Sequence, residues 1–138
     1  MRSAGVILKN APITKVTEWL NQFGVRAYPE NKWGYPSKQE PEEVVFYMRL
    51  YNTLSDDFEL DDDDMEELNK ILGEEASVWI SVQVPGYFDG RAEVRLFATT
   101  ILKEFEGIAF DDDTKHWWTL TDIENDLVFE GKHFFSRR

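Results

Sequence analysis

An α+β domain, built on a mostly antiparallel sheet with helices packed on one face, is what the sequence predicts, and three observations carry that prediction. In Ser77 to Val84 the residues Val78, Ile80, Val82 and Val84 fall on alternate positions, so one face of an extended strand is apolar. After Pro85-Gly86 stops that strand, Val94, Phe97, Ala98, Ile101, Leu102 and Phe105 recur at helical spacing, and Ile108-Ala109-Phe110 resumes in extended form beyond Gly107. Strands and helices alternate along all 138 residues with no repeat and no linker, so 1–138 reads as a single domain. A chain of that length buries roughly 65–70% of its unfolded surface without disulfides or a structural metal.

The elements follow in order. Val6-Ile7-Leu8 predicts a short first strand. Asn10 as cap and Pro12 in the first turn open a helix over Pro12 to Phe23, with Ile13, Val16, Trp19, Leu20 and Phe23 on one side and Gly24 as its stop. Residues 28–41 differ in kind: Pro29, Pro36, Pro41 and Gly34 stand among the aromatics Tyr28, Trp33 and Tyr35. Prolines at that density disfavour a ladder, which predicts a long loop or a partly ordered edge whose aromatics either bind or pack back onto the domain. Val44 to Tyr51 is β-branched and aromatic and reads as a central strand. Phe46, Met48 and Leu50 share one of its faces. Val45, Tyr47, Arg49 and Tyr51 share the other, which Arg49 marks as half-buried or in contact with a carboxylate.

The acidic segment 55–67 contains Asp56, Asp57, Glu59, Asp61, Asp62, Asp63, Asp64, Glu66 and Glu67. Such a block repels itself if packed, so most of it faces water. Met65, Leu68, Ile71 and Leu72 mark a helix starting there, whose dipole the carboxylates complement, and Gly73 closes it. Beyond Phe110, Asp111-Asp112-Asp113-Thr114-Lys115 predicts a turn and His116 to Leu120 a short extended piece. Thr121 is the expected cap of a helical turn through Glu124. Leu127-Val128-Phe129 is the expected edge strand, and the Phe134-Phe135 pair is expected to pack. The most specific arrangement compatible with this order is ferredoxin-like with a small C-terminal appendage.

Catalytic and metal chemistry find little support. There are no cysteines, which removes thiolate catalysis, disulfides and cysteine-ligated zinc. His116 and His133 lack HxxxH or HExxH spacing, and a pairing of His116 with Asp113 has no GxSxG serine to act on. An EF-hand loop needs glycine at its sixth position, where Asp57 to Asp62 places Asp62. Pro85 to Arg91 has two glycines before a helix but neither GxGxxG nor a Walker lysine, and Asp89 is expected to cap that helix itself. Among 27 acidic residues some pair always has glycosidase spacing, so that signal carries no information. The prediction is therefore a chain with no catalytic residue, metal or cofactor.

Charge points elsewhere. The net charge of −12 repels phosphate backbones and anionic membranes and attracts basic partners at salt-dependent rates. No apolar run approaches the roughly 20 residues of a membrane span, and the N-terminal run is too short for a signal-peptide core, which predicts a soluble, cytoplasmic protein. The acidic turn Asp111-Asp112-Asp113 followed by Trp117-Trp118-Thr119-Leu120-Thr121-Asp122-Ile123 resembles the ending of small α+β immunity proteins of bacterial toxin systems. That resemblance implies a non-enzymatic protein that neutralises a cognate toxin, and it assigns no residue a role. The partner surface expected from charge comprises Asp56, Asp57, Glu59, Asp61, Asp62, Asp63, Asp64, Asp111, Asp112 and Asp113, with Trp33, Tyr35 and Trp117 as aromatic anchors. Two alternatives are a small-molecule or enzymatic pocket beside the 28–41 loop, lined by Trp33, Tyr35 or Trp79, and an inhibitor that mimics DNA.

Overall fold

The computed structural model of the chain describes residues 2–27, 31–53, 60–86 and 89–136. Along them run β1 (Arg2–Leu8), α1 (Ile13–Phe23), β2 (Val25–Ala27), β3 (Lys32–Pro36), β4 (Val44–Tyr51), α2 (Asp62–Leu72), β5 (Val78–Val84), α3 (Arg91–Glu104), β6 (Gly107–Asp111) and α4 (Leu120–Glu124). The six strands form one sheet in the order β2-β3-β4-β5-β1-β6, with every neighbouring pair antiparallel. Four of them, in the order β4-β5-β1-β6 with α1 and α3 as crossovers, make the split βαβ arrangement of a ferredoxin-like core. The β2–β3 hairpin widens that core at one edge, and α2 is inserted between β4 and β5.

Alternation sends Ala4, Val6, Leu8, Phe46, Met48, Leu50, Val78, Ile80, Val82 and Val84 to one face, where they meet Val16 and Leu20 of α1 and Val94, Phe97, Ala98 and Ile101 of α3. Each large side chain so buried contributes about 1.5–3 kcal/mol. An aromatic stack seals one side of this core, with ring centroids 4.9 Å apart for Trp19–Phe23, 5.0 Å for Phe23–Tyr35 and 5.2 Å for Tyr35–Phe46. The opposite face holds a second, smaller cluster of Ile7, Trp79, Ile108, Leu68, Leu72 and Trp117. Thus α1 and α3 cover one face and α2 packs on the other. The cause lies in β1 and β5, which are buried on both faces over most of their length. Their second apolar row requires a cover of its own.

Several local expectations change. Residues 32–36 form a strand, because Pro36 lies at its end, where the register with β4 shifts, and beyond the reach of β2, which pairs only with Lys32, Trp33 and Gly34. The cap of α1 is Pro12, while Asn10 takes a positive φ of 54° in the preceding turn. Gly90, with φ 69°, takes the position expected of Asp89 at the start of α3. Thr119 caps α4 in place of Thr121, through a reciprocal box with Asp122. Of Leu127 to Phe129 only Phe129 makes a bridge, to Lys132. Phe134 and Phe135 are buried, as expected of an apolar pair. Among the described residues no helix is long and apolar enough to cross a membrane.

Candidate functional site

Strand register orders the second sheet face into rows. Tyr51, Trp79, Ile7 and Ile108 form the apolar row of the second cluster. Next come Lys32, Arg49, Ser81, Gly5 and Phe110, and then Gly34, Tyr47, Gln83 and Ser3. Over the polar part of these rows lies a groove of about 730 Å³. Ser3, Ser81 and Gln83 floor it, Leu60, Asp61 and Asp64 form one wall, and Phe110 to Asp112 with Thr114 to Trp117 form the other.

The first wall is the start of α2. Asp61 accepts a hydrogen bond from the Asp64 amide (2.8 Å), and Asp64 accepts one from the Asp61 amide (3.2 Å), a capping box made of two carboxylates. Asp62 and Asp63 complete a first turn whose negative charge complements the helix dipole. The helix end thus gathers four carboxylates, of which Asp61 and Asp64 line the groove, for local reasons.

The second wall is held from behind. Buried Asp111 accepts from the Thr114 amide (3.1 Å), the Thr114 hydroxyl (2.8 Å) and the Phe135 amide (2.7 Å), which ties the wall to the C-terminal segment. Burial pushes its pKa above the ordinary value, against the lowering effect of the hydrogen bonds from Phe135 and Thr114. Asp112 accepts from the Ser3 amide (2.8 Å), which brings its carboxylate to the groove floor. Lys132 pairs with Asp113 at 3.2 Å. His116 Nε2 lies 3.1 Å from Asp122 Oδ2, and the ring stacks on Phe129 and lies nearly perpendicular to Trp118. Burial raises the pKa of Asp122, but hydrogen bonds with Thr119 and His116 outweigh it and hold the carboxyl below its ordinary value. Phe110 lies over Gly5: a Cβ there would fall 2.6 Å from the ring tip and 2.6 Å from the Ile80 carbonyl oxygen. The missing side chain lets the aromatic ring lie against the sheet beside Ser81.

The partner residues expected from charge divide accordingly. Asp61, Asp64, Asp112 and Trp117 line the groove, and Asp62 and Asp63 stand beside it in the first turn of α2. Asp111 is an internal staple, and Asp113, its side chain 3% exposed, is tied to Lys132, so neither presents a free charge to solvent. Trp33 is 1% exposed and donates its indole N–H to Asn21 at 2.8 Å, which makes it a core residue instead of an anchor. Tyr35 is sandwiched between Phe23 and Phe46. The partner of His116 is Asp122 and not Asp113. Asp56, Asp57 and Glu59 lie outside the described residues.

A cavity of about 390 Å³ beside the β2–β3 hairpin is lined by Arg26, Asn31, Trp33, Tyr51 and neighbouring residues. Among the described residues no group of three His, Asp or Glu side chains is placed to hold a metal ion. Sequence reasoning missed Ser3, Gly5, Ser81, Gln83 and Phe110. The visible signal was Ser81 and Gln83, polar residues alternating with Trp79 on a strand whose other face is wholly aliphatic. Compared with protein families, curated proteins and solved structures, the chain matches none of them.

Proposed function

We propose that the chain is a non-enzymatic binding protein that captures a basic segment of a protein partner in the groove between α2 and β6, in the manner of an immunity protein neutralising a toxin. The observation that carries this reading is a group of carboxylates without an ion-pair partner at one groove, whose lining holds a single lysine, Lys115. Arg2, Lys9, Lys70, Arg95, Lys103 and Lys132 are spent on Asp89, Glu106, Glu66, Asp126, Glu124 and Asp113. No ion pair among the described residues involves Asp61, Asp62, Asp63, Asp64 or Asp112; Asp61, Asp64 and Asp112 line one groove with Trp117 and Phe110 in its wall, and Asp62 and Asp63 lie beside it. A lysine or arginine entering there meets several carboxylates and an aromatic edge, the combination that makes an interface anchor.

The test is capture from an extract of the source organism with the full chain immobilised, at low and at high salt. One basic protein is expected at low salt and lost at high salt. The quadruple substitution of Asp61, Asp62, Asp63 and Asp64 by Asn, which keeps cap acceptors and removes four charges, is expected to abolish its recovery. Equal capture by that variant, or capture insensitive to salt, would refute the reading.

A further inference from the structure

Across β3 and β4, Lys32 and Arg49 stand directly opposite each other on the second sheet face. Opposed like charges on neighbouring strands repel, and Arg49 is half-buried. In a chain with 27 acidic and 15 basic side chains, a carboxylate between them would be the simplest remedy. Yet no ion pair among the described residues involves either one, and the contact Lys32 does make is with the ring of Tyr47, 4.2 Å from its centroid. Arg49 adjoins Ser81 and Tyr47 adjoins Gln83, so the basic pair continues the groove floor on the side away from Asp112.

We propose that Lys32 and Arg49 form an anion subsite that receives a carboxylate side chain of the same partner segment whose cation sits among Asp61, Asp64 and Asp112. This rests on the function proposed above and narrows it to a partner strand of mixed charge. The register sets the spacing. Arg49 lies two strands from Gly5, and Ser3, which anchors Asp112, is two residues along β1 from Gly5. With strands about 4.8 Å apart and a rise of about 3.4 Å per residue, the two subsites are roughly 12 Å apart. An extended peptide covers about 13 Å in four residues, and residues i and i+4 point to the same side. The occupant is therefore an extended segment with a carboxylate and a cation four positions apart.

The experiment titrates the full chain, with amide shifts followed by NMR, with three probes at matched ionic strength: tetraglutamate, tetra-arginine, and a peptide with Glu and Arg at i and i+4 separated by serines. Inorganic phosphate serves as a fourth. Tetraglutamate is expected to saturate with shifts centred on Lys32, Tyr47, Arg49 and Ser81, and Arg49→Gln is expected to weaken it about tenfold. Lys32→Gln, which leaves Arg49 in place, gives an independent reading of the same loss. The mixed peptide is expected to bind at least tenfold tighter than a version with its Glu replaced by Gln.

No saturable glutamate shifts at these residues, affinity in both variants unchanged from the wild type, or phosphate bound with the carboxylate excluded would each overturn the subsite. Failure of tetra-arginine to bind at Asp61, Asp64 and Asp112 while tetraglutamate still binds would overturn the basic-segment reading instead, so the two failures are told apart.

Discussion

Asp111 on the groove's second wall and Asp122, which holds His116 of that wall from α4, are expected to respond to pH in opposite directions, and Asp111→Asn and Asp122→Asn expose the difference. Asp111 offers two oxygens to donors from Thr114 and Phe135. Asparagine keeps one oxygen and turns an amide N–H₂ toward the rest. Phe135 is 0% exposed, so a lost acceptor leaves a buried donor unsatisfied, at a cost of about 1–3 kcal/mol. For a domain of this size that corresponds to roughly 3–12 °C in Tm. Burial raises the folded pKa of Asp111 above 3.8. The stability it contributes is therefore full below that value and is lost as pH rises through the folded pKa. The deficit of Asp111→Asn is accordingly expected to grow as pH falls from 7 toward 4.

Asp122 is held below 3.8 despite its partial burial. Its contribution is present above the unfolded value and lost as pH falls through the folded one. The deficit of Asp122→Asn, about 1 kcal/mol from the weakened cap and the His116 bond, is expected to hold steady down to about pH 4 and close below it. Urea denaturation of the wild type and both variants between pH 3 and 7, followed by tryptophan fluorescence, measures both. If the two deficits moved in the same direction with pH, the assignment of burial to one carboxylate and hydrogen bonding to the other would be wrong.

Gly5→Ala is expected to cost about 1–3 kcal/mol, because its methyl group must displace the Phe110 ring and crowd the Ile80 carbonyl. Chemical unfolding reads the cost, and altered amide shifts at Ser81 and Trp117 would show the groove remodelled. Gly73 and Gly90 both have positive φ, 76° and 69°, but nothing lies within 4 Å of a Cβ at Gly73, whereas Val84 Cγ1 lies 2.8 Å from one at Gly90. Gly73→Ala is expected to cost only the left-handed strain, about 1–2 kcal/mol, and Gly90→Ala about 2–4 kcal/mol. Equal losses by thermal unfolding would contradict the packing around Val84.

What could be read from the sequence was whatever repeats with a period. Val78 to Val84 and the stripe from Val94 to Leu102 appear where alternation and helical spacing put them. The strand at 32–36 was hidden because its prolines are local information, whereas its pairing with β4 is not. The acidic block was legible as charge, but its division was not. Asp111 and Asp112 are neighbours in sequence, yet strand alternation sends one inward to Phe135 and leaves the other beside Ser3. Pairing with β1 sets Asp111 opposite Ala4 on the main-core face, and that register decides which is which. Trp33 was misread for a related reason: an aromatic in a proline-rich stretch looks exposed until β4 covers it.

The groove itself follows from unequal covers. Antiparallel pairing of six strands makes a face about 24 Å across, and α1 and α3 together roof one side of it. The other side has only α2, whose 11 residues span about 16 Å with a width near 10 Å. One helix of that size shields the row of Ile7, Trp79 and Ile108, while Ser3, Lys32, Arg49 and Gln83 in the rows beyond it are only half-buried. A sheet that presented aliphatic residues there would associate without selectivity. The chain instead places Ser3, Ser81, Gln83, Lys32 and Arg49 at those alternate positions, while their neighbours in sequence stay apolar and hold the main core. Polarity confined to one face of otherwise buried strands costs stability that a solubilising surface does not require. On the function proposed above, its position between a carboxylate-rich helix end and an opposed pair of cations would put that polarity to use in binding.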